Sequence, residues 1–291
     1  MRRRRFLAIS AAALAIPVRG RAETVWRGRA LGADVSVTLT GDDAAARRVL
    51  PRIEGLLARI EAEFSLYDAT SALSRLNRTG VIKPSGEFSE MMRISDDVHR
   101  LTGGAFDPTI QALWRALAEG RPGSSALAAI GWPRVAFGGD HIRLPAGGAL
   151  TFNGIAQGYA TDRVRELLSE TGFTKALVDI GEYAALGGPY LVGVEDPEFG
   201  LLGRRTLRNT AIATSSPGTM HLGAASHILS PHGTPPLWST VSVEASSATL
   251  ADGLSTGLCF LPRTRIAQLV RDVPDLLSVN LVTPDGDLVT V

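Results

Sequence analysis

The sequence predicts an α+β fold of mixed helices and antiparallel-rich sheets. Three observations predict it. Segments with helical spacing and segments with alternating spacing are interleaved, without the regular strand–helix alternation that builds a doubly wound parallel sheet. The strand-like runs are short and set apart by glycines. The chain has 291 residues, 45% hydrophobic and 20% charged, enough for a real core, and no repeat or low-complexity linker divides it. Residues 23–291 are read as a single domain, although length alone also fits two tightly joined lobes.

Each element follows from its spacing. Thr24 to Thr40 alternates as a strand or hairpin around Gly32. Asp43 to Phe64 is a helix with Val49, Ile53, Leu56, Leu57, Ile60 and Phe64 on one side. Pro51 inside it predicts a kink or a new first turn. Ser71 starts a short helix that Gly80 closes, and Glu87 to Leu101 is a helix ended by Gly103-Gly104. FDPTIQALWRAL turns through Pro108 into another. Short strands follow at RVAF, HIRL and ALTF. Gly154 to Thr171 is a loop entering an amphipathic helix, and strands come next at KALVDI, PYLVGVE, RRTLRN, TAIAT and STVSVE. The apolar stretch ASSATLADGLSTGL, Ala245 to Leu258, is a buried helix. The helix RIAQLVRD and the strands LLSVNLV and DLVTV complete the chain.

Residues 1–22 form an export signal. Arg2 to Arg5 precede the apolar run Phe6 to Ile16, and Gly20 and Ala22 are small residues placed for cleavage before Glu23. The run is too short for a stable membrane span. Arg3-Arg4-Arg5-Phe6-Leu7 resembles the twin-arginine pattern; an ordinary secretory signal rich in arginine is the other reading. Both predict a periplasmic protein. The signal holds six of the 30 basic residues and no acid, so the remainder has 24 basic against 29 acidic residues, a net charge of −5. Nothing in that balance predicts a nucleic-acid surface. The single cysteine, Cys259, excludes an internal disulfide and a cysteine zinc site and reads as a buried, inert thiol.

Five constellations bear chemistry. Asp252 and Thr256 lie one helical turn apart, so both face the same way. A carboxylate in an apolar helix needs a partner. Taken alone, the pair reads as a capping or backbone-bonded Asp beside a Thr bonding a carbonyl; the alternative is a pair of hard oxygens for Mg2+. TFNGIAQGYATD, Thr151 to Asp162, is a tight glycine loop that brings backbone groups against a phosphate or a metal. It does not fit the dinucleotide fingerprint G-x-G-x-x-G. TGGAFDPTIQALW combines a close-approach Gly-Gly with an Asp-Pro turn. In EFSLYD, Tyr67 reads first as a half-buried packing residue. His227 and His232 lie in turn-rich text without the spacing of a zinc pair. There is no nucleophile elbow, no His-Glu-x-x-His and no P-loop. The residues by themselves support an exported α+β protein with a possible Mg2+ and phosphate site.

In this order the five stretches resemble the bacterial FAD:protein FMN transferases, the ApbE-like family. The family pattern runs Met-Gly-Thr; Phe-Ser-x-Tyr with Ser-x-Leu-Ser-x-Leu-Asn; Gly-x-Phe-Asp-Pro-Thr; Asp-Leu-Gly-Gly-Ile-Ala-Lys-Gly-Tyr; Thr-Ser-Gly; Ser-His-x-x-Asp-Pro; and Ala-Asp-x-x-Ser-Thr. This chain has Leu31-Gly32-Ala33, FSLYDATSALSRLN, GAFDPT, TFNGIAQGYATD, TSS, SHILSP and ADGLST, from Leu31 to about Leu261.

The resemblance implies an ApbE-like (T-fold-like) architecture. It also implies transfer of FMN from FAD to a threonine hydroxyl of an acceptor flavoprotein in a membrane or periplasmic redox system, with AMP leaving. By position it assigns Asp252, Thr256 and the Gly154 carbonyl to Mg2+. Tyr67 and Leu31 fall to the flavin ring; Ala105, Phe106, Asp107, Thr151, Gln157 and Leu229 to FAD contacts; and His227 to the transferred phosphate as a base. Asp252, as the metal carboxylate, counts with His227 as catalytic. Five positions depart from the pattern: Thr151 stands for Asp, Asn153 for Gly, Gln157 for Lys, Ser216 for Gly and Ser230 for Asp. Those changes keep two alternatives open on the same site, an FAD pyrophosphatase and a non-catalytic FAD carrier. A solute-binding protein is a fourth reading, resting on export and mixed fold alone.

Overall fold

The computed structural model describes residues 23–291; the expected export signal lies outside the described residues. Glu23–Ala30 (β1) and Ala33–Thr40 (β2) form the expected hairpin. Its turn residues, Leu31 and Gly32, both have positive φ, 51° and 81°, the backbone twist that suits a two-residue hairpin loop. Leu31 is held in this unfavourable region by its N–H, which donates to Glu61 Oε1 at 2.7 Å.

Helix α1, Asp43–Phe64, runs through Pro51 without a break and buries the six predicted apolar residues together with Ala46. Asp42 caps it, accepting from the N–H groups of Ala44 and Ala45. Ser71 caps α2, Ala72–Thr79, and Gly80 ends it at φ 76°. Ser85 caps α3, Gly86–Leu101. A 3-10 turn at Pro108–Ile110 leads into α4, Gln111–Ala118.

The segment 132–152 departs from expectation. Of the three strands predicted there, only Ile142–Arg143 forms, a two-residue strand against Val81–Ile82, with Ala136 bridging Arg143. ALTF is not a strand, because its backbone is satisfied elsewhere. Leu150 exchanges two hydrogen bonds with the Asn77 side chain (2.7 and 2.8 Å), and the Thr151 N–H donates to Pro108 O at 2.9 Å.

The rest of the chain is α5 (Ala156–Glu170), β3 (Ala176–Asp179), β4 (Tyr183–Leu186), β5 (Tyr190–Asp196), β6 (Gly200–Leu207), β7 (Ala211–Ser215), β8 (Thr240–Ala245), α6 (Ala248–Leu258), α7 (Arg263–Asp272), β9 (Leu276–Val282) and β10 (Leu288–Thr290). Eight strands form one sheet in the order β1-β2-β3-β4-β7-β8-β9-β10. All its neighbours are antiparallel.

Strand alternation assigns the two faces of that sheet. Val178, Ala213, Val243 and Val279 face the main core beneath α1, α5 and α6, while Leu177, Tyr183, Ala185 and Ile212 face the separate β5–β6 hairpin and its Val192, Val194 and Leu207. Phe64, Phe88, Phe152 and Tyr159 pack together at the centre of the helical layer, with ring centroids 5.5–5.8 Å apart. Cys259 is buried and its thiol is pushed upward by burial, as expected of an inert cysteine. No helix among the described residues is long and apolar enough to cross a membrane.

Candidate active site

Helix α6 is the centre of the site. It begins at Ala248, not Ala245, because β8 continues through Ala245 and Ser247 caps the helix, accepting from the Leu250 N–H at 3.2 Å. Asp252 and Thr256 point toward α5 and the loop before it. Helix α5 passes so close that a Cβ on Gly158 would stand 2.3 Å from Ala248 O and 2.7 Å from Asp252 Cβ. The Gly158 N–H donates to Asp252 Oδ2 at 2.9 Å. The other oxygen of Asp252, Oδ1, has no protein donor among the described residues. Thr256 Oγ1 lies 3.4 Å from Gly154 O and 3.4 Å from Ser215 Oγ. Thr256 Oγ1 and the Gly154 carbonyl thus meet one helical turn along α6 from Asp252, bringing a hydroxyl, a main-chain carbonyl and a carboxylate together from two segments far apart in sequence.

These donors fit a hard cation such as Mg2+, which takes few protein oxygens and completes its shell with water and phosphate. Among the described residues no three His, Cys, Asp or Glu side chains are grouped to hold a metal, so one carboxylate carries the protein's charge in this set. The electrostatics favour a cation. Asp252 is only 4% exposed, and burial raises its pKa against the opposing Gly158 hydrogen bond. Glu182, 8% exposed, is held well above the usual carboxylate range, first by burial and then by the charges of Asp252 and Asp179; the Thr214 N–H, 3.0 Å from Oε2, opposes this. Burial pushes Asp179 up to about 6. No arginine or lysine charge draws any of the three down.

Gln157 lays its carboxamide against Gly181, where a Cβ would stand 2.5 Å from Nε2; Gly181 also has φ +90°, which strains any side chain there whatever the space. The Ala105–Phe106–Asp107 loop abuts α6 through Gly257, whose Cβ would meet Thr102 Cγ2 at 2.7 Å and Phe106 Cβ at 3.1 Å. Both Asp107 oxygens are engaged internally: Oδ1 accepts from the Thr109 N–H and hydroxyl, Oδ2 from the Trp132 N–H. Thr151 joins this loop through Pro108. Leu31 is tied to Glu61 in the last turn of α1, and Tyr67 lies in the loop that follows that helix. Tyr67 is 66% exposed, which removes the half-buried packing reading.

His227 and half-buried Leu229 lie on the loop after β7. Nδ1 of His227 stands 3.2 Å from Met220 O. A carbonyl only accepts, so Nδ1 donates in this contact, and the ring also bonds the Pro217 carbonyl. Burial holds the His227 pKa below its ordinary value against the opposing Met220 and Pro217 carbonyls, which favours the neutral ring. None of the hydrogen bonds among the described residues joins this ring to Asp252 or Thr256. The same loop reaches the Asp107 wall at His232, whose Nε2 lies 3.8 Å from a Cβ placed on Gly104. Asp162, Asp179, Glu182 and Ser215 escaped the sequence reading as members of the site. Asp162 and Ser215 lie within two singled-out stretches, TFNGIAQGYATD and TSS, but neither has an assigned role there.

The fold and this geometry define a class: an α+β protein with an all-oxygen cradle between two distant segments, walled by loop backbone. The chain belongs to the ApbE family, whose sequence profile matches residues 31–279. Among curated relatives, the FAD:protein FMN transferase of Haemophilus influenzae is 25% identical, covering 90% of this chain and 87% of its own length. That of Vibrio cholerae is 26% identical, covering 84% and 82%. Among solved structures, the ApbE protein from Thermotoga maritima superposes with a TM-score of 0.81 at 25% identity, over 92% of this chain and 96% of that one. The apo flavinyl transferase ApbE of Pseudomonas stutzeri gives 0.80 at 24%, over 95% and 96%.

Proposed function

We propose that this enzyme transfers FMN from FAD to a threonine hydroxyl of an acceptor protein in a Mg2+-dependent reaction that releases AMP. The observation that supports the reading is that Asp252 and Thr256, one turn apart on α6, meet Gly158 and the Gly154 carbonyl at the start of α5. The names of the curated relatives support the flavin substrate. In the reaction a new P–O bond forms between the acceptor oxygen and the FMN phosphorus, the diphosphate P–O bond breaks, and AMP leaves. Mg2+ bound there would supply charge neutralisation on the diphosphate.

The chain's own residues bind, orient and move a proton. Asp252, Thr256 and Gly154 hold the metal. Burial favours the neutral His227 ring, which takes the proton of the attacking hydroxyl. Tyr67 and Leu31 flank the flavin ring. Ala105, Phe106 and Asp107 contact FAD chiefly through the loop's backbone, since the Asp107 carboxylate is already engaged. Thr151 and Leu229 complete the pocket. Gln157 contributes a neutral amide where a lysine would bring charge.

The arginine-rich segment 1–22 supports export, by the twin-arginine route, to a periplasm where the acceptor belongs to a redox system. Incubating the protein with FAD, Mg2+ and a panel of candidate acceptor flavoproteins tests the reaction by intact mass. The expected result is one acceptor gaining one FMN, with one AMP released per transfer. FMN and AMP appearing at a comparable rate without any acceptor would replace transfer by FAD pyrophosphatase. Tight FAD binding with no product in excess metal would leave only a carrier.

A further inference from the structure

Asp162 has no part in the chemistry above, yet its carboxylate, 6% exposed, takes five hydrogen bonds. Four come from the start of α6: Ser247 Oγ at 2.7 Å, the Ala248 N–H at 2.9 Å, the Thr249 N–H at 2.8 Å and Thr249 Oγ1 at 2.7 Å. The fifth is Arg165 Nη2 at 2.9 Å, whose same nitrogen also donates to Ser246 O at 3.0 Å. Helix-starting N–H groups lack partners within their own helix, and the positive end of the helix dipole favours an anion there. Asp162 satisfies both demands from a neighbouring helix.

The contacts between α5 and α6 repeat at one-turn intervals. Asp162 meets the residues around Ala248. Four residues earlier on α5, Gly158 meets Asp252, four residues later on α6. Four further, Gly154 meets Thr256. Two of these three rungs carry the oxygens of the cradle, and the third is the clasp at Asp162. The glycines at the other rungs permit close approach and supply one hydrogen bond each, Gly158 N–H to Asp252 at 2.9 Å and a long Thr256 Oγ1 to Gly154 O at 3.4 Å, against the four that the start of α6 gives Asp162. We propose that Asp162 is a positioning residue that sets the α5–α6 register in which Asp252, Thr256 and the Gly154 carbonyl face one cation. This rests on the metal reading above.

The test uses Mn2+ as the probe, titrated by electron paramagnetic resonance into residues 23–291 without FAD, well below the unfolding temperature of every variant. Outer-sphere partners of metal ligands commonly matter by 10- to 100-fold in affinity. Asp162→Asn, which cannot accept on both sides, is expected to weaken Mn2+ binding about tenfold. Thr249→Val, which removes one donor of five and folds more readily, is expected to weaken it about threefold. Lower thermal stability with Mn2+ affinity unchanged in both variants would overturn the proposal and make Asp162 purely structural. Should Asp162→Asn fail to fold, Thr249→Val decides alone, an unchanged affinity overturning the proposal. A wild-type protein that binds no Mn2+ would remove the metal reading itself, and this proposal with it.

Discussion

Gly154 and Thr256 stand 102 positions apart in the chain, yet a Cβ on Gly154 would lie 2.6 Å from Thr256 Oγ1. That contact leaves room for a hydrogen atom and nothing larger. Gly154 has no positive φ, so the constraint is steric and local. Gly154→Ala is therefore expected to push the Thr256 hydroxyl out of the cradle. The cost in stability is about 1–3 kcal/mol, that of an overpacked contact. Metal-dependent turnover should fall at least about tenfold, measured as initial AMP release against Mg2+ concentration.

Asp252 is expected to trade stability for function. Its charge and that of Glu182 oppose each other in a buried place where no arginine or lysine charge among the described residues draws either carboxyl down. Removing one charge relieves the other. Both carboxyl groups have raised pKa values, so the unfavourable charge grows as pH rises. At pH 8, in chelator, Asp252→Asn is expected to melt about 2–4 °C above wild type, as roughly 1 kcal/mol does for a domain of this size. Saturating Mg2+ should raise the melting temperature of wild type and leave the variant unmoved. Asp252→Ala should abolish turnover while keeping the fold, since α6 keeps its apolar face. Circular dichroism melts with and without Mg2+ check both.

His227 sets a pH expectation of definite sign. Its folded pKa lies below the ordinary 6.5 because burial disfavours the charged ring. The neutral base therefore persists to lower pH than for a free histidine, and the acid limb of kcat/KM should fall below pH 6.5. His227→Gln should remove that limb and cost about 100- to 10,000-fold in rate. For stability, the depressed pKa means the contribution is complete above 6.5 and is lost as pH falls toward the folded value. His227→Gln should accordingly flatten the loss of stability between pH 7 and 5, read by denaturant melts across that range.

Gln157 lies against the turn that joins Asp179 to Glu182, so a cation there would meet acids on one side and the diphosphate on the other. Gln157→Lys is expected to tighten FAD binding in chelator about tenfold, the worth of one charge-assisted contact. The same ammonium should weaken Mg2+ binding by like-charge repulsion. Fluorescence titration of FAD and calorimetric titration of Mg2+ separate the two effects; movement of both affinities in the same direction would contradict this placement.

Much of the fold was legible because its signals are local. Ser71 and Gly80 bracket α2, and six apolar residues at helical spacing define α1 despite Pro51. The apolar run around Asp252 reveals a buried helix, though its first three residues belong to β8 and its cap. Local signals failed where partners are distant. ALTF has strand composition, but Asn77 and Pro108 take its backbone groups. β4, lying between Gly181 and Gly187, is short and gains its identity only by pairing with β3 and β7. The order of the motifs gave the site its outline. Glu182, Ser215 and Asp162 stayed hidden because burial and contacts across the chain define their roles; Asp162 reaches donors 85 to 87 residues away.

The most direct test is a crystal of residues 23–291 soaked with FAD and Mn2+, with anomalous scattering recorded at the manganese edge. The account predicts one strong peak within coordination distance of Asp252 Oδ1, Thr256 Oγ1 and Gly154 O, in contact with the FAD diphosphate. Bound FAD whose diphosphate lies away from those three oxygens, with no peak between them, would contradict it.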